Sequence, residues 1–200
     1  MSHVTNTRRL VYIALLSAIS FALSYFKFPL LPPPVNFLEV DFTILPILIG
    51  CFMFGLSTGF IILIVRSILW LIINPGPFPP NTYIGLPMNF VAIAIFMVLL
   101  WFFMQKKFST SRYLLSAILG TLAFTAAMLI LNKFYAIPLY STVAHFDFTK
   151  IAFAGISGVN AYLLAVLIFN LIEGVIFSVA FLILYWALRG SKAVKFINAN

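Results

Sequence analysis

Inside its long apolar stretches this sequence carries few amides and ionisable side chains: Asn89, Asn132 and Asn170, and Arg66, Lys133 and Glu173. Burying a charge at membrane depth is costly, so each is a functional candidate by default. Asn170 and Glu173 are three positions apart and share one face of a helix. Asn132 and Lys133 are neighbours, about 100° apart around a helix, so they cannot both point centrally. An asparagine amide offers a donor and an acceptor side by side, which complements an imide or uracil-like edge. Phe134, Tyr135 and Phe169 flank these amides. Amides among aromatics suit a flat, polar-edged, mostly uncharged ligand. The structural alternative is polar glue between helices, with a Lys133–Glu173 ion pair, at about 0.6–2 kcal/mol per contact. For Arg66, midway along its apolar run, structural pairing or snorkelling is the expected role.

Other chemistry is missing. No phosphate-binding loop of the G-x-x-x-x-G-K-[ST] type is present. His3 and His145 lie in separate regions, no H-E-x-x-H pattern occurs, and Cys51 is the one cysteine, so no metal site is expected. Ser67 and Ser178 have no histidine partner within a helix. Glu39 and Asp41 fall near an expected membrane surface, where solvation explains them. No catalytic residue is expected, and the chain is not expected to be an enzyme by itself.

The elements that must carry these residues are membrane helices. The chain has 200 residues, 64% of them hydrophobic and 8% charged, with a mean hydropathy of +1.14. Soluble domains carry about 25% charge. The formal charge of +8 is not a nucleic-acid footprint, because too few polar residues remain for a solvated basic face. Apolar runs predict six transmembrane helices at about 10–26, 42–54, 59–73, 84–104, 113–135 and 160–188, forming one compact all-α bundle over residues 1–200. The second run is too short for a perpendicular span. Pro29 and Pro32-Pro33-Pro34 close the first helix and Asn74-Pro75-Gly76-Pro77 the third.

Arg8 and Arg9, Lys106, Lys107 and Arg112, and Arg189, Lys192 and Lys195 form three basic clusters. With an even number of spans all three fall on one face, which places both termini in the cytoplasm. The two long outer loops, Lys27–Asp41 and Ala136–Val159, are expected to cap a ligand pocket. Leu139, Tyr140, Phe146, Phe148, Ile151 and Phe153 make the second loop a lid rather than a tether. Ala14 and Ala18 form a small-x-x-x-small face on which a partner helix can approach closely, and Ala123 and Ala127 repeat the spacing.

In several segments, in order along nearly the whole chain, the sequence resembles the S component of an energy-coupling factor (ECF) vitamin transporter of the riboflavin-specific type. The resemblance rests on Phe37-Leu38-Glu39-Val40-Asp41-Phe42-Thr43 with Pro46 and Leu48-Ile49-Gly50, and on Phe54-Gly55 with Gly59. It continues through Val65-Arg66-Ser67-Ile68-Leu69, Gly85 with Asn89-Phe90, Asn132 with Pro138-Leu139-Tyr140, and Phe169-Asn170-Leu171-Ile172 with Gly174. It implies a six-helix substrate-binding membrane subunit without ATPase activity in a prokaryotic plasma membrane. Such a subunit captures riboflavin from outside and works with a transmembrane coupling subunit (T component) and two ABC ATPases. It delivers the vitamin inward by toppling in the bilayer.

By the same resemblance Asn132 and Asn170 bind the isoalloxazine ring, Glu39 and Asn89 line the pocket, and Ala14 and Ala18 contact the coupling subunit. Glu173, Lys133 and Tyr135 complete the expected substrate-binding set. Riboflavin is transported ligand here, and no cofactor is implied. The chain departs from the family pattern at Glu173, where that pattern has a lysine, and at Lys133, where it has an uncharged aromatic. Leu56 replaces a proline, and Arg66-Ser67 stands for Lys-Asn. Three alternatives stay open: an S component for another vitamin, a stand-alone carrier or facilitator in which Glu173 couples proton movement, and a ligand-free scaffold subunit.

Overall fold

The computed structural model describes residues 6–73, 80–104 and 108–190. His3, the Asn74–Pro77 break and the basic residues Lys106, Lys107, Lys192 and Lys195 lie outside them. The chain is nearly all helical: α1 (Asn6–Leu23), α2 (Ile44–Phe54), α3 (Leu56–Ile73), α4 (Pro80–Met104), α5 (Thr110–Leu131), α6 (Ile137–Val143) and α7 (Val159–Leu188). A π-helical turn, Asn132–Ala136, joins α5 to α6, so the two make one rod and the described residues form six helical rods. Four of them, Leu56–Ile73, Thr82–Met104, Thr110–Val143 and Val159–Leu188, are long and apolar enough to cross a membrane. α2 has 11 residues, about 16 Å of helix against a hydrocarbon core of about 30 Å. It cannot span alone.

Local sequence explains the boundaries. Gly55 ends α2 with φ +99°, a left-handed value that disfavours other residues, and α3 starts on the next residue. Gly59 on α3 lets the two helices meet closely, since a Cβ there would lie 2.9 Å from the Cys51 Cβ. Gly174 does the same for α7 against α5: a Cβ would lie 2.6 Å from Thr121 Cγ2. The core gathers Phe52, Phe96, Phe177 and Phe181 between these helices, with Phe52 and Phe181 centroids 5.2 Å apart. Large apolar residues such as Ile61, Ile64, Ile68 and Ile72 point outward along one side of α3. An apolar exterior of this kind fits lipid.

The helices differ at their ends from the sequence expectation. α1 begins four residues earlier than expected and stops at Leu23, and α4 reaches back to Pro80. The larger difference is at the second outer loop. Helix continues to Val143, so the irregular link runs only over 144–158. Pro138 falls inside the loop expected over Ala136–Val159, and a proline in a helix interior lacks the N–H that a regular helix needs. Here it sits in the first turn of α6, directly after the π turn, where that N–H is not required. The remaining link holds a 3₁₀ turn (Phe148–Lys150) and a small hairpin, β3 (Ala152–Phe153) with β4 (Ile156–Ser157). In the first outer loop β1 (Phe28–Pro29) pairs antiparallel with β2 (Glu39–Val40). Val35 drops from that loop into a cluster with Phe148, Ile151 and Tyr162, tying the two outer loops together.

Candidate functional site

The helices and outer loops enclose a cavity of about 610 Å³, within the range of about 300–1,000 Å³ usual for small-molecule sites. α7 supplies one wall through a single stripe: Tyr162, Val166, Phe169, Asn170, Glu173 and Phe177. The spacing of three and four is the helical repeat. Asn132 enters from the first residue of the π turn. Such turns are frequent at functional sites.

The two asparagines are anchored alike. Asn132 Nδ2 donates to the Met128 carbonyl at 2.7 Å, and Asn170 Nδ2 donates to the Val166 carbonyl at 2.7 Å. Each amide is thereby clamped to its own preceding turn, which leaves its Oδ1 for another partner. The Tyr162 hydroxyl donates to Asn132 Oδ1. Asn170, 1% exposed, has no partner on Oδ1. A buried unpartnered amide oxygen costs about 1–3 kcal/mol, so Asn170 stands ready for a ligand donor.

A second wall comes from the first outer loop, α3 and α4. Arg66 Nη1 donates to Asn89 Oδ1 at 2.9 Å, and Nη2 donates to Thr43 Oγ1 at 3.3 Å. Asp41 Oδ2 is 3.9 Å from Arg66 Nη2. Asp41 Oδ1 accepts from the Thr43 backbone N–H at 3.0 Å and from its hydroxyl. Ser20 Oγ on α1 donates to the Thr43 carbonyl at 2.7 Å. This network joins α1 through α4 around the start of α2. Glu39, on β2, lines the same cavity, and so does Glu173, which has no ion-pair partner among the described residues.

Over these walls lies an aromatic cover. Phe37 stacks on Tyr162 with centroids 6.1 Å apart, and Phe148 lies 4.9 Å from Tyr162 and 4.8 Å from Phe146. Phe37 belongs to the first outer loop and Phe146 and Phe148 to the second, so the cover is shared. Tyr162 links it to Asn132.

Asn89, Asn132, Asn170, Glu173 and Glu39 thus all line one cavity. Lys133 and Tyr135 do not. Lys133 is exposed with Nζ 5.5 Å from the Phe134 ring, and the Tyr135 hydroxyl donates to the Tyr83 carbonyl at 3.0 Å. The helix turns inward at Asn132 and cannot turn inward at its neighbour. No Lys133–Glu173 ion pair forms among the described residues. Ala14 and Ala18 are exposed on α1, while Ile13, Leu16, Ser17 and Ser20 are buried on its other face. Arg66, Asp41 and Tyr162 were not among the expected site residues. Tyr162 was detectable, because it lies two turns before Asn170 on the same stripe.

Known proteins similar to this chain are membrane transporter components. Residues 8–185 match the family model described as "ECF transporter, substrate-specific component". The chain is 46% identical to the riboflavin transporter RibU of Streptococcus thermophilus, over 93% of this chain and 85% of that protein. It is 44% identical to RibU of Lactococcus lactis subsp. cremoris, over 98% and 100%. Among solved structures, an S component of a bacterial ECF transporter superposes with a TM-score of 0.72 at 29% identity, covering 92% of this chain and 96% of that one.

Proposed function

The chain belongs to the substrate-specific components of ECF transporters, and from that membership we propose that it captures riboflavin at the outer face of a prokaryotic plasma membrane. The carrying observation is Asn170, whose unpartnered Oδ1 belongs to a cavity shared with Asn132 and roofed by aromatic rings. The flavin ring has an imide edge for these amides and a flat face for Phe37, Tyr162 and Phe148. Relatives named as riboflavin transporters at 44–46% identity support the same ligand. The imide N–H donates to Asn170 Oδ1, and the remaining Asn132 N–H donates to a ring carbonyl. Both outer loops close over the bound vitamin.

Energy comes from outside the chain. A transmembrane coupling subunit docks on the α1 face bearing Ala14 and Ala18, and two ABC ATPases drive toppling of the loaded subunit. Both termini lie in the cytoplasm, as the positions of Arg8, Arg9, Arg112 and Arg189 indicate. Glu173 within the cavity favours one competing reading, a proton-coupled carrier that works alone.

Titration of riboflavin with the purified protein tests the first reading, because stacking in an aromatic cavity quenches flavin fluorescence. Saturable quenching at one ligand per chain is expected, and no quenching would overturn the flavin assignment. In reconstituted vesicles, uptake should require the coupling subunit and ATP. Gradient-driven uptake by this chain alone would favour the carrier.

A further inference from the structure

Arg66 is 3% exposed and lines the cavity from α3. A guanidinium carries five N–H donors and accepts nothing. Asn89 and Thr43 each take one donor, at 2.9 Å and 3.3 Å. Asp41 stands 3.9 Å away with its other oxygen already bonded to Thr43. Nε is buried and has no acceptor among the described residues. A buried cation with an unmet donor is costly, and the cost falls when a polar partner arrives.

We propose that Arg66 is a ligand-contacting specificity residue that receives the oxygen-rich tail of the ligand, donating from its guanidinium to a tail hydroxyl. The inference rests on the flavin reading above and adds a second subsite to it. The ring occupies the Asn132–Asn170 side, and the polyol tail occupies the Arg66–Asn89–Asp41 side. Hydroxyls both donate and accept, which matches a cluster that offers guanidinium donors beside carboxylate and amide acceptors. A phosphate at the end of the tail replaces one hydroxyl by a group that only accepts and brings negative charge. It would meet Glu39, Asp41 and Glu173 against Lys27 and Arg66, all lining the same cavity. The site therefore prefers the neutral polyol.

The test uses the purified full-length protein and three probes: riboflavin, the same ring carrying a methyl group in place of the tail, and riboflavin 5′-phosphate. Wild-type protein should bind riboflavin more tightly than either of the others. Arg66→Gln removes the charge, whereas Arg66→Lys keeps a cation for Asp41 and loses the guanidinium fork. Both variants should weaken riboflavin binding about 10- to 100-fold and change binding of the methyl analogue by less than about twofold. Equal losses for both probes would make Arg66 a structural residue, and no loss for riboflavin would also overturn the proposal. Wild-type preference for the phosphate ester would overturn the polyol assignment. If wild type binds the methyl analogue as tightly as riboflavin, the tail contact alone fails. If it binds no flavin, the flavin reading itself has failed. Melting temperatures check folding, and Arg66→Lys decides the matter if Arg66→Gln does not fold.

Discussion

Asn132 and Asn170 each spend one side-chain N–H on the turn behind them, yet of the two only Asn170 keeps an unpartnered oxygen among the described residues. That asymmetry predicts unequal effects. Asn170→Ala should weaken riboflavin binding by roughly tenfold or more, the loss of a buried hydrogen bond. Asn132→Ala should weaken it as well. Both proteins should still be expressed and folded, and unchanged affinity in both would remove the amides from the site. These two positions, with Asn89 and Glu173, stand out in the sequence because a polar group inside an apolar run has few bland explanations, whereas Glu39 came from the resemblance alone. Lys133 meets the same criterion and Tyr135 flanks the amides, yet neither lines the cavity. Polarity within a run fixes depth but not rotation, and at Asn132–Lys133 one residue of rotation decides. Arg66 was legible as a buried charge, but its partners Asp41, Thr43 and Asn89 come from two other segments and only the fold could supply them.

Among the elements, the rod Thr110–Val143 differs most from expectation, since a proline that reads as a helix stop sits two residues beyond a π turn. Proline at a helix start and proline after a helix end look the same in one sequence. The helix count, by contrast, followed from apolar run length. Packing between elements makes its own prediction at Gly174, where an added Cβ would meet Thr121 at 2.6–3.0 Å. Gly174→Ala should push α7 from α5 and cost about 1–3 kcal/mol, seen as a lower melting temperature. The outer α1 face predicts the opposite pattern. Leucine or tryptophan at Ala14 and Ala18 should spare riboflavin binding but impair uptake and copurification with the coupling subunit. Loss of binding would mean that the face packs internally.

In the link before α7, Asp147 accepts from the Thr149 hydroxyl at 2.6 Å and from its backbone N–H at 3.0 Å. The Thr149 hydroxyl first, then that N–H, hold the carboxyl below its usual value of 3.8. Its contribution to the turn is present above the ordinary carboxylate range and is lost as pH falls through the lowered value. Asp147→Asn should therefore loosen the turn at neutral pH, read as faster hydrogen exchange at Thr149. An unchanged rate would show that the turn stands without the carboxylate.

At the scale of the molecule, the formal charge of +8 acquires a spatial meaning. The bundle turns large apolar residues outward, gathers three asparagines and the acids Glu39, Asp41 and Glu173 around one cavity, and leaves Arg8, Arg112 and Arg189 at helix ends. Such a body suits the substrate-specific component of an ECF transporter. The most direct measurement is to purify the protein gently from cells supplied with riboflavin and identify what it carries by absorbance and mass spectrometry. The account predicts a yellow protein that releases riboflavin on denaturation, close to one molecule per chain. A preparation that carries no flavin, and that takes up none when riboflavin is added back, would contradict it.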